Sequence, residues 1–205
     1  MFATPDLLAL SERVRPTAAS RTRLLPVAGP LAALLSDGGL RRGTAVRCGS
    51  LGLALALAAE ASAARAWCGV VGVEDLGVLA AAGYGVDLGR LVVVRAAPGE
   101  WAVAVATLLD GMDLVVLEPP RHPRPAAVRT LDARARDRGA VLLVVGPQWP
   151  APVEAAFEVR GHWQGLGRGT GRLEARRVTV TASGRGRGAP TRRELWLPTA
   201  EGRVA

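Results

Sequence analysis

The 205-residue chain contains no lysine, no isoleucine and no asparagine. Such a bias is typical of GC-rich coding, so part of the arginine content reflects codon usage. The missing lysine also excludes every site that needs the side-chain ammonium group of lysine. One such site is the standard phosphate loop, in which a lysine reaches the β- and γ-phosphates of a nucleotide.

Cysteine, histidine and long apolar runs are also scarce. Cys48 and Cys68 are too few for a disulfide framework and lie in apolar segments, so we expect reduced core thiols. His122 and His162 have no Cys or His at ligand spacing, which predicts no metal site. The apolar run 51–59 is too short to span a membrane, and no basic-then-apolar leader opens the sequence. We therefore expect a cytoplasmic protein without a membrane partner.

The positive charge is confined to the second half of the chain. Residues 1–117 are neutral overall, whereas residues 118–205 contain 16 arginines and 8 acids and hold the whole net charge of +8. This distribution favours an anionic partner, either nucleic acid or an acidic protein surface. The alternative is a solvated arginine-rich surface produced by the coding bias.

Alternating apolar segments predict an α/β fold. Continuous apolar runs predict buried strands at 44–48, 66–73, 91–95, 114–118 and 140–145. Helical segments follow or precede them at 31–35, 51–65, 76–82, 101–109 and 126–138. Strands that alternate with helices indicate βαβ crossovers and a doubly wound, mostly parallel sheet.

The C-terminal segment has a different pattern. Residues 157–160, 172–181 and 193–197 tend to alternate with a period of two, and Gly-Arg turns are predicted at 165–171 and 184–188. This pattern predicts an antiparallel meander at the edge of the sheet. We therefore divide the chain into an N-terminal helix (7–15) with its linker over 1–30, an α/β core over 31–150, and a β extension with a basic tail over 151–205.

The turn after the first predicted strand has the position of a phosphate loop. Backbone N–H groups and a helix N-terminus hold phosphate at this place in nucleotide-binding folds. The pattern G-x-x-x-x-G-K-[ST] needs four residues between its glycines, but only Ser50 and Leu51 separate Gly49 from Gly52. We interpret the turn as a degenerate phosphate loop that binds no cofactor.

Acidic residues follow two of the buried strands. Ligands of open α/β sheets bind at the carboxyl ends of the strands, and Glu74, Glu118 and Gln148 are expected there. The order of these motifs, with Gly38-Gly39-Leu40 before the first strand, resembles the RecA-like ATPase core from residue 36 to about residue 182. The resemblance implies that Glu74 occupies the place of the acid that activates water, and Glu118 that of the magnesium-associated acid. Acids at strand ends also cap helices and turns in many folds, which is the alternative reading.

The departures from the RecA pattern indicate a more specific group of RecA-like proteins. The Walker lysine and hydroxyl are absent, and the long DNA-binding loop expected after Gln148 is missing. With its length, the turn at 163–167 and the edge at 192–198, the chain resembles the ImuA-type accessory subunit of the actinobacterial mutasome. That resemblance implies a non-catalytic scaffold or regulator in damage-induced (SOS) translesion synthesis. Its partner would be an ImuB-type Y-family polymerase homologue, with RecA or DNA as further partners of the basic half.

The candidate contacts with such partners are mostly arginines. They are Arg121, Arg124, Arg129, Arg168, Arg172, Arg185, Arg187, Arg192, Arg193 and Trp196. Trp67 and Trp101 are expected in the core, whereas Trp149, Trp163 and Trp196 suit partner contact and core packing equally well. Two other functions stay open, a SulA-like cell-division inhibitor and a DNA-dependent ATPase with an atypical phosphate loop.

Overall fold

The computed structural model describes residues 23–97, 99–167, 170–185, 188–199 and 204. The N-terminal helix predicted over 7–15 and two candidate contacts, Arg168 and Arg187, lie outside these residues. The backbone of Arg172 is described, but its side chain is not.

The described residues contain ten strands and five α-helices. The strands are β1 (Leu24–Leu25), β2 (Leu40–Arg41), β3 (Ala45–Cys48), β4 (Cys68–Val71), β5 (Leu91–Val94), β6 (Leu114–Leu117), β7 (Val141–Val145), β8 (Ala155–Gly167), β9 (Thr170–Gly184) and β10 (Thr191–Trp196). The helices are α1 (Gly29–Ala32), α2 (Leu51–Ala63), α3 (Val78–Gly83), α4 (Trp101–Leu109) and α5 (Pro125–Arg138), and a short 3-10 helix (Leu88–Arg90) precedes β5.

Eight strands form one sheet in the order β10-β9-β8-β3-β7-β6-β4-β5. Neighbouring strands from β8 to β5 are parallel, whereas β9 runs antiparallel to both β8 and β10. The prediction of a mostly parallel α/β sheet with antiparallel strands at one edge is therefore confirmed. A separate two-stranded ladder joins β1 to β2.

Helices cover both faces of the parallel strands. Helix α2 packs with Val46, Val70 and Val116 on one face. Helices α4 and α5 pack with Val115 and Val144 on the other. Central strands buried on both sides need apolar residues at every position, which explains their unbroken Val/Leu runs. Helix α2 is apolar almost all round because α3 covers its outer side.

The C-terminal strands differ in length from the prediction. The turn predicted over 165–171 is wrong in extent, because β8 continues to Gly167 and β9 begins at Thr170 after a bulge near Gln164. Glycine permits this ladder, since a Cβ on Gly161 would lie 2.3 Å from the Arg177 carbonyl oxygen. The first part of β8 also pairs in parallel with β3, so the extension continues the core sheet.

A buried ion pair joins the amino ends of the central strands. Arg42 Nη2 donates to Asp113 Oδ1 at 2.8 Å, and the two side chains are only 9% and 6% exposed. The second carboxylate oxygen accepts the Trp67 N–H at 3.0 Å, and Arg42 Nη1 donates to the Gly139 carbonyl at 3.1 Å. These residues precede β3, β6, β4 and β7, so one charged pair holds four strand ends together.

We expect Arg42→Ala to destabilise the protein by about 3–5 kcal/mol, because it leaves the Asp113 carboxylate buried without its cation. Urea unfolding followed by circular dichroism measures the change. Arg41→Ala is the matched control, since Arg41 pairs with Asp37 and Glu154 from a side chain in contact with solvent, which screens both pairs, and its loss should have little effect. Equal losses for the two variants would contradict the assigned importance of the buried pair.

Candidate functional site

The carboxyl ends of the central strands surround a cavity of about 900 Å³. Strands β4 and β6 are neighbours, but the connections after them run in opposite directions across the sheet: β4 is followed by the edge strand β5, and β6 by β7 on the other side. The cavity lies between these two connections. This is where ligands of open α/β sheets bind. The cavity is lined by residues that include Glu74, Asp75, Arg95, Trp101 and Glu118.

A close backbone contact brings the two candidate acids to the same cavity. The Glu118 N–H donates to the Val71 carbonyl at 3.0 Å, which extends the β4–β6 ladder by one bond. Gly72 then turns with φ of 78°, and a Cβ there would lie 2.4 Å from the Glu118 carbonyl oxygen. Glu74 and Glu118, which the sequence placed at strand ends, thus lie after neighbouring strands and line the same cavity. Both side chains are exposed.

The first βα corner is short and already occupied by protein groups. Only Gly49 and Ser50 separate β3 from α2. The Gly49 N–H donates to the Phe157 carbonyl of β8 at 2.8 Å, and Ser50 Oγ caps the helix by accepting the Leu53 N–H at 3.3 Å. A Cβ on Gly49 would lie 2.9 Å from the Phe157 carbonyl oxygen. Two backbone donors of this corner therefore bind the protein itself.

A tyrosine lies against the first turn of α2. A Cβ on Gly52 would lie 2.6 Å from the Tyr84 hydroxyl oxygen. Burial raises the pKa of Tyr84, and the nearby charge of Arg176 on β9 partly opposes this rise. The helix end that holds phosphate in nucleotide-binding folds thus faces a phenol and the backbone of β8.

The arginines of α5 and of the loop before it occupy different environments. Arg121 and Arg124 are exposed in the loop after β6, and Arg129 is exposed on α5. By contrast, Arg134 binds Asp110 through two contacts, and Arg138 donates to the same carboxylate at 3.1 Å. These guanidinium groups lower the pKa of Asp110. Two arginines of α5 are therefore engaged within the protein.

The antiparallel edge carries its candidate residues on two faces. Arg192 pairs with Thr181 and Trp196 with Arg177, whereas Arg193 pairs with Val180, so strand alternation places Arg193 on the opposite face. Arg192 and Arg193 are exposed and Trp196 is half-buried. In the turn after β9, Arg185 is exposed and its N–H donates to the Glu154 carbonyl at 3.0 Å.

The tryptophans and cysteines divide clearly by burial. Trp101 and Trp149 are each 8% exposed, which confirms Trp101 as a core residue, whereas Trp67 is half-buried and packs against the same cluster. Trp163 is 43% exposed. Cys48 and Cys68 are buried free thiols, as expected, and burial raises the pKa of Cys68 to about 12.

Two further observations concern the described part of the chain. Its His, Cys, Asp and Glu side chains form no group of three or more that would hold a metal ion. None of its helices combines the length and apolar character needed to cross a bilayer.

Comparison with known proteins places this architecture in a family. Residues 33–151, which contain the cavity and the first βα corner, match the family model described as MT3502 N-terminal domain. The chain belongs to this family. It is also 37% identical over 186 residues to a protein of Mycobacterium tuberculosis (strain ATCC 25618 / H37Rv) named Uncharacterized protein Rv3395c, across 86% of this chain and 87% of that protein. The mycobacterial relative is consistent with the expected actinobacterial family.

Several residues of this family member's cavity were not predicted as site residues. Arg95 directly follows β5, so the rule that ligands bind at carboxyl ends of strands would have found it. Asp75 is adjacent to Glu74 and would have followed from the same rule. The contact of Tyr84 with Gly52 joins distant positions and leaves no local pattern in the sequence.

We expect Gly72→Ala to destabilise the protein by about 1–3 kcal/mol, because its positive φ and the nearby Glu118 carbonyl oxygen leave no room for a methyl group. Thermal unfolding measures this loss. Gly83→Ala is the control, since a Cβ there meets no atom within 4 Å and alanine favours the helix. An unchanged melting temperature for Gly72→Ala would contradict the close contact of the two strand ends.

Asp132 on α5 gives a pH-dependent prediction. Burial raises its pKa to about 6, and the Trp149 N–H and Arg136 only partly oppose this effect. The unfolded carboxyl ionises near pH 4, so the folded state loses stability as the pH rises from about 4 through 6. We expect Asp132→Asn to stabilise the protein by about 1 kcal/mol at pH 7.5, a value reduced for partial exposure, and to give no gain at pH 4.

The control for this pH effect is Asp137→Asn, which changes an exposed carboxyl on the same helix. Chemical denaturation at both pH values separates the two variants. A gain for Asp132→Asn that is equally large at pH 4 would show that ionisation is not its cause.

Proposed function

We propose that the protein is a RecA-like pseudo-ATPase of the ImuA type, which supports damage-induced translesion DNA synthesis through protein–protein contacts and without catalysis. The strand order supports the RecA-like part of this proposal. The strand before the degenerate phosphate loop lies inside the sheet between β7 and β8, and the strands that end at Glu74 and Glu118 are neighbours.

The observation that carries the proposal is the occupied first βα corner. Binding of a nucleoside triphosphate at this corner needs several backbone N–H groups that point at the phosphates, together with a lysine. Here the connection has two residues, Gly49 donates to β8, Ser50 caps α2, and the chain contains no lysine. With the phosphate-binding groups gone, the surfaces of the fold serve macromolecular partners.

A second candidate function is a DNA-dependent ATPase with an atypical phosphate site. The retained cavity favours it, because Glu74 and Glu118 meet there beside Arg95. Arg95 is exposed and would have to replace the missing lysine as the cation for the phosphates. Nucleotide titration distinguishes the two functions.

The proposed partner is a Y-family polymerase homologue of the ImuB type. The net positive C-terminal half supports a further contact with RecA or DNA. The buried free thiols Cys48 and Cys68 suit the reducing cytoplasm in which such an assembly works.

We expect isothermal titration of the full chain with ATP and Mg²⁺ to give no binding isotherm. We also expect Glu74→Gln and Glu118→Gln to leave damage-induced mutation frequency at the wild-type level in a strain that lacks the chromosomal gene. The physical reason is that neither acid has a phosphate-bound magnesium ion to act on. Complementation by the wild-type gene provides the reference.

Either of two outcomes would contradict the pseudo-ATPase assignment, namely micromolar ATP binding or loss of mutagenesis in Glu118→Gln. Co-purification from damaged cells tests the assembly separately. Failure of the polymerase homologue to co-purify with the full chain would contradict the scaffold role.

A further inference from the structure

The strands β8 and β9 extend beyond the sheet as a two-stranded ribbon. Strand β3 pairs with β8 only as far as Phe157, and the residues of and after β10 follow β9 as far as Arg176. Residues 160–167 and 170–177, called here the ribbon, project past the carboxyl end of β3. The outer part of the ribbon has no third strand among the described residues.

The ribbon is strongly basic. Residues 160–177 contain five arginines and a single acid, Glu174. On one face, His162 pairs with Arg177, and Arg160 lies two residues before His162. Arg160, His162 and Arg177 are all exposed. Arg177 binds Glu194 at 2.7 Å, but both side chains are more than half exposed, so the solvent screens this pair and a polyanion can compete for it.

The other face presents an aromatic ring. Trp163 is 43% exposed, and the Arg176 guanidinium lies over its ring at 6.0 Å from the centroid. Arg176 pairs directly with Trp163 across the ladder and is tied to the end of β10 through backbone bonds to Leu197 and Pro198. A cation over the ring favours one orientation of the indole, and the residue keeps the exposed surface given above.

We propose that the ribbon binds single-stranded nucleic acid, with Trp163 as a stacking platform for a base and Arg160 and Arg177 as phosphate contacts. Neighbouring strands lie only about 5 Å apart, so the ribbon is narrow and long arginine side chains on one face reach its edges. There they meet the phosphate backbone of a nucleic acid strand that wraps around the ribbon. Stacking on an aromatic residue combined with a positively charged track is how single strands are held without sequence preference.

The composition of the ribbon favours nucleic acid over an acidic protein. The centre of a protein interface is depleted of charge and rich in apolar contact area. The ribbon instead combines four arginines with two apolar side chains, Trp163 and Leu173, that are exposed among its described side chains. This inference deepens the DNA contact proposed for the basic C-terminal half, and it requires neither the polymerase homologue nor an inactive nucleotide site.

Fluorescence anisotropy of labelled oligothymidylate with the full chain tests the proposal. We expect Trp163→Ala to weaken binding by about tenfold or more, and Trp163→Phe to retain most of the affinity because a ring remains for stacking. We expect Arg160→Ala to weaken binding and to reduce the slope of log affinity against log salt by about 0.7, the change for one phosphate contact on a single strand.

Arg136→Ala on α5 is the matched control, since it removes an exposed arginine outside the ribbon and should leave the affinity unchanged. Thermal melting of each variant establishes that it is folded, and Trp163→Phe keeps the test valid if Trp163→Ala melts early. Wild-type affinity in both Trp163→Ala and Arg160→Ala would overturn the proposal. Tighter binding of duplex DNA, or equally effective competition by polyglutamate, would also overturn it. These outcomes are independent of ATP titration and of polymerase co-purification.

Discussion

The buried ion pair of Arg42 and Asp113 holds together the amino ends of the central strands. A charge removed from water must be paired and hydrogen-bonded, and here the carboxylate binds both the arginine and the Trp67 N–H, while the arginine also binds the Gly139 carbonyl. The amino ends of four parallel strands are therefore held in one arrangement. The opposite, carboxyl end is left to its loops, which can change without loss of the fold.

At that carboxyl end two acids meet at a cavity, whereas donors of the first βα corner bind the protein itself. Strand order alone brings Glu74 and Glu118 to one cavity, because β4 and β6 are neighbours in the sheet. The anion-binding corner depends on loop length and donor groups, and there the Phe157 carbonyl of β8 accepts the Gly49 N–H. The same strand continues into the ribbon. One element therefore both occupies the corner and supplies the surface proposed for a polymeric ligand.

The sequence was sufficient to predict the parts of the fold that repeat locally. Buried strands such as Leu114–Leu117 were found within a residue, because both faces must be apolar, and the predicted bounds of Trp101–Leu109 agree with the structure. Glu74 and Glu118 followed from the position of ligands at strand ends. Strands of two residues, such as Leu24–Leu25, have no detectable period and were missed. Glycines in β8 resembled a turn because the ladder that they allow depends on β9.

Contacts between distant residues explain most of what the sequence did not reveal. Arg134 and Arg138 lie on the helix predicted over 126–138, yet both bind Asp110 at the end of the preceding helix. The position of Tyr84 against Gly52 likewise requires α3 to be packed on α2. The local sequence does not indicate such contacts, because the two partners are neighbours only in the folded protein.

The pairing of β3 with β8 also affects how the chain assembles. Each step from β8 to β10 joins consecutive strands through a short connection, whereas Val46 of β3 and its partner Ala155 of β8 lie far apart in the chain. Closing so long a loop carries a larger entropic penalty and slows folding. We therefore expect the local hairpins to form before β8 attaches to β3.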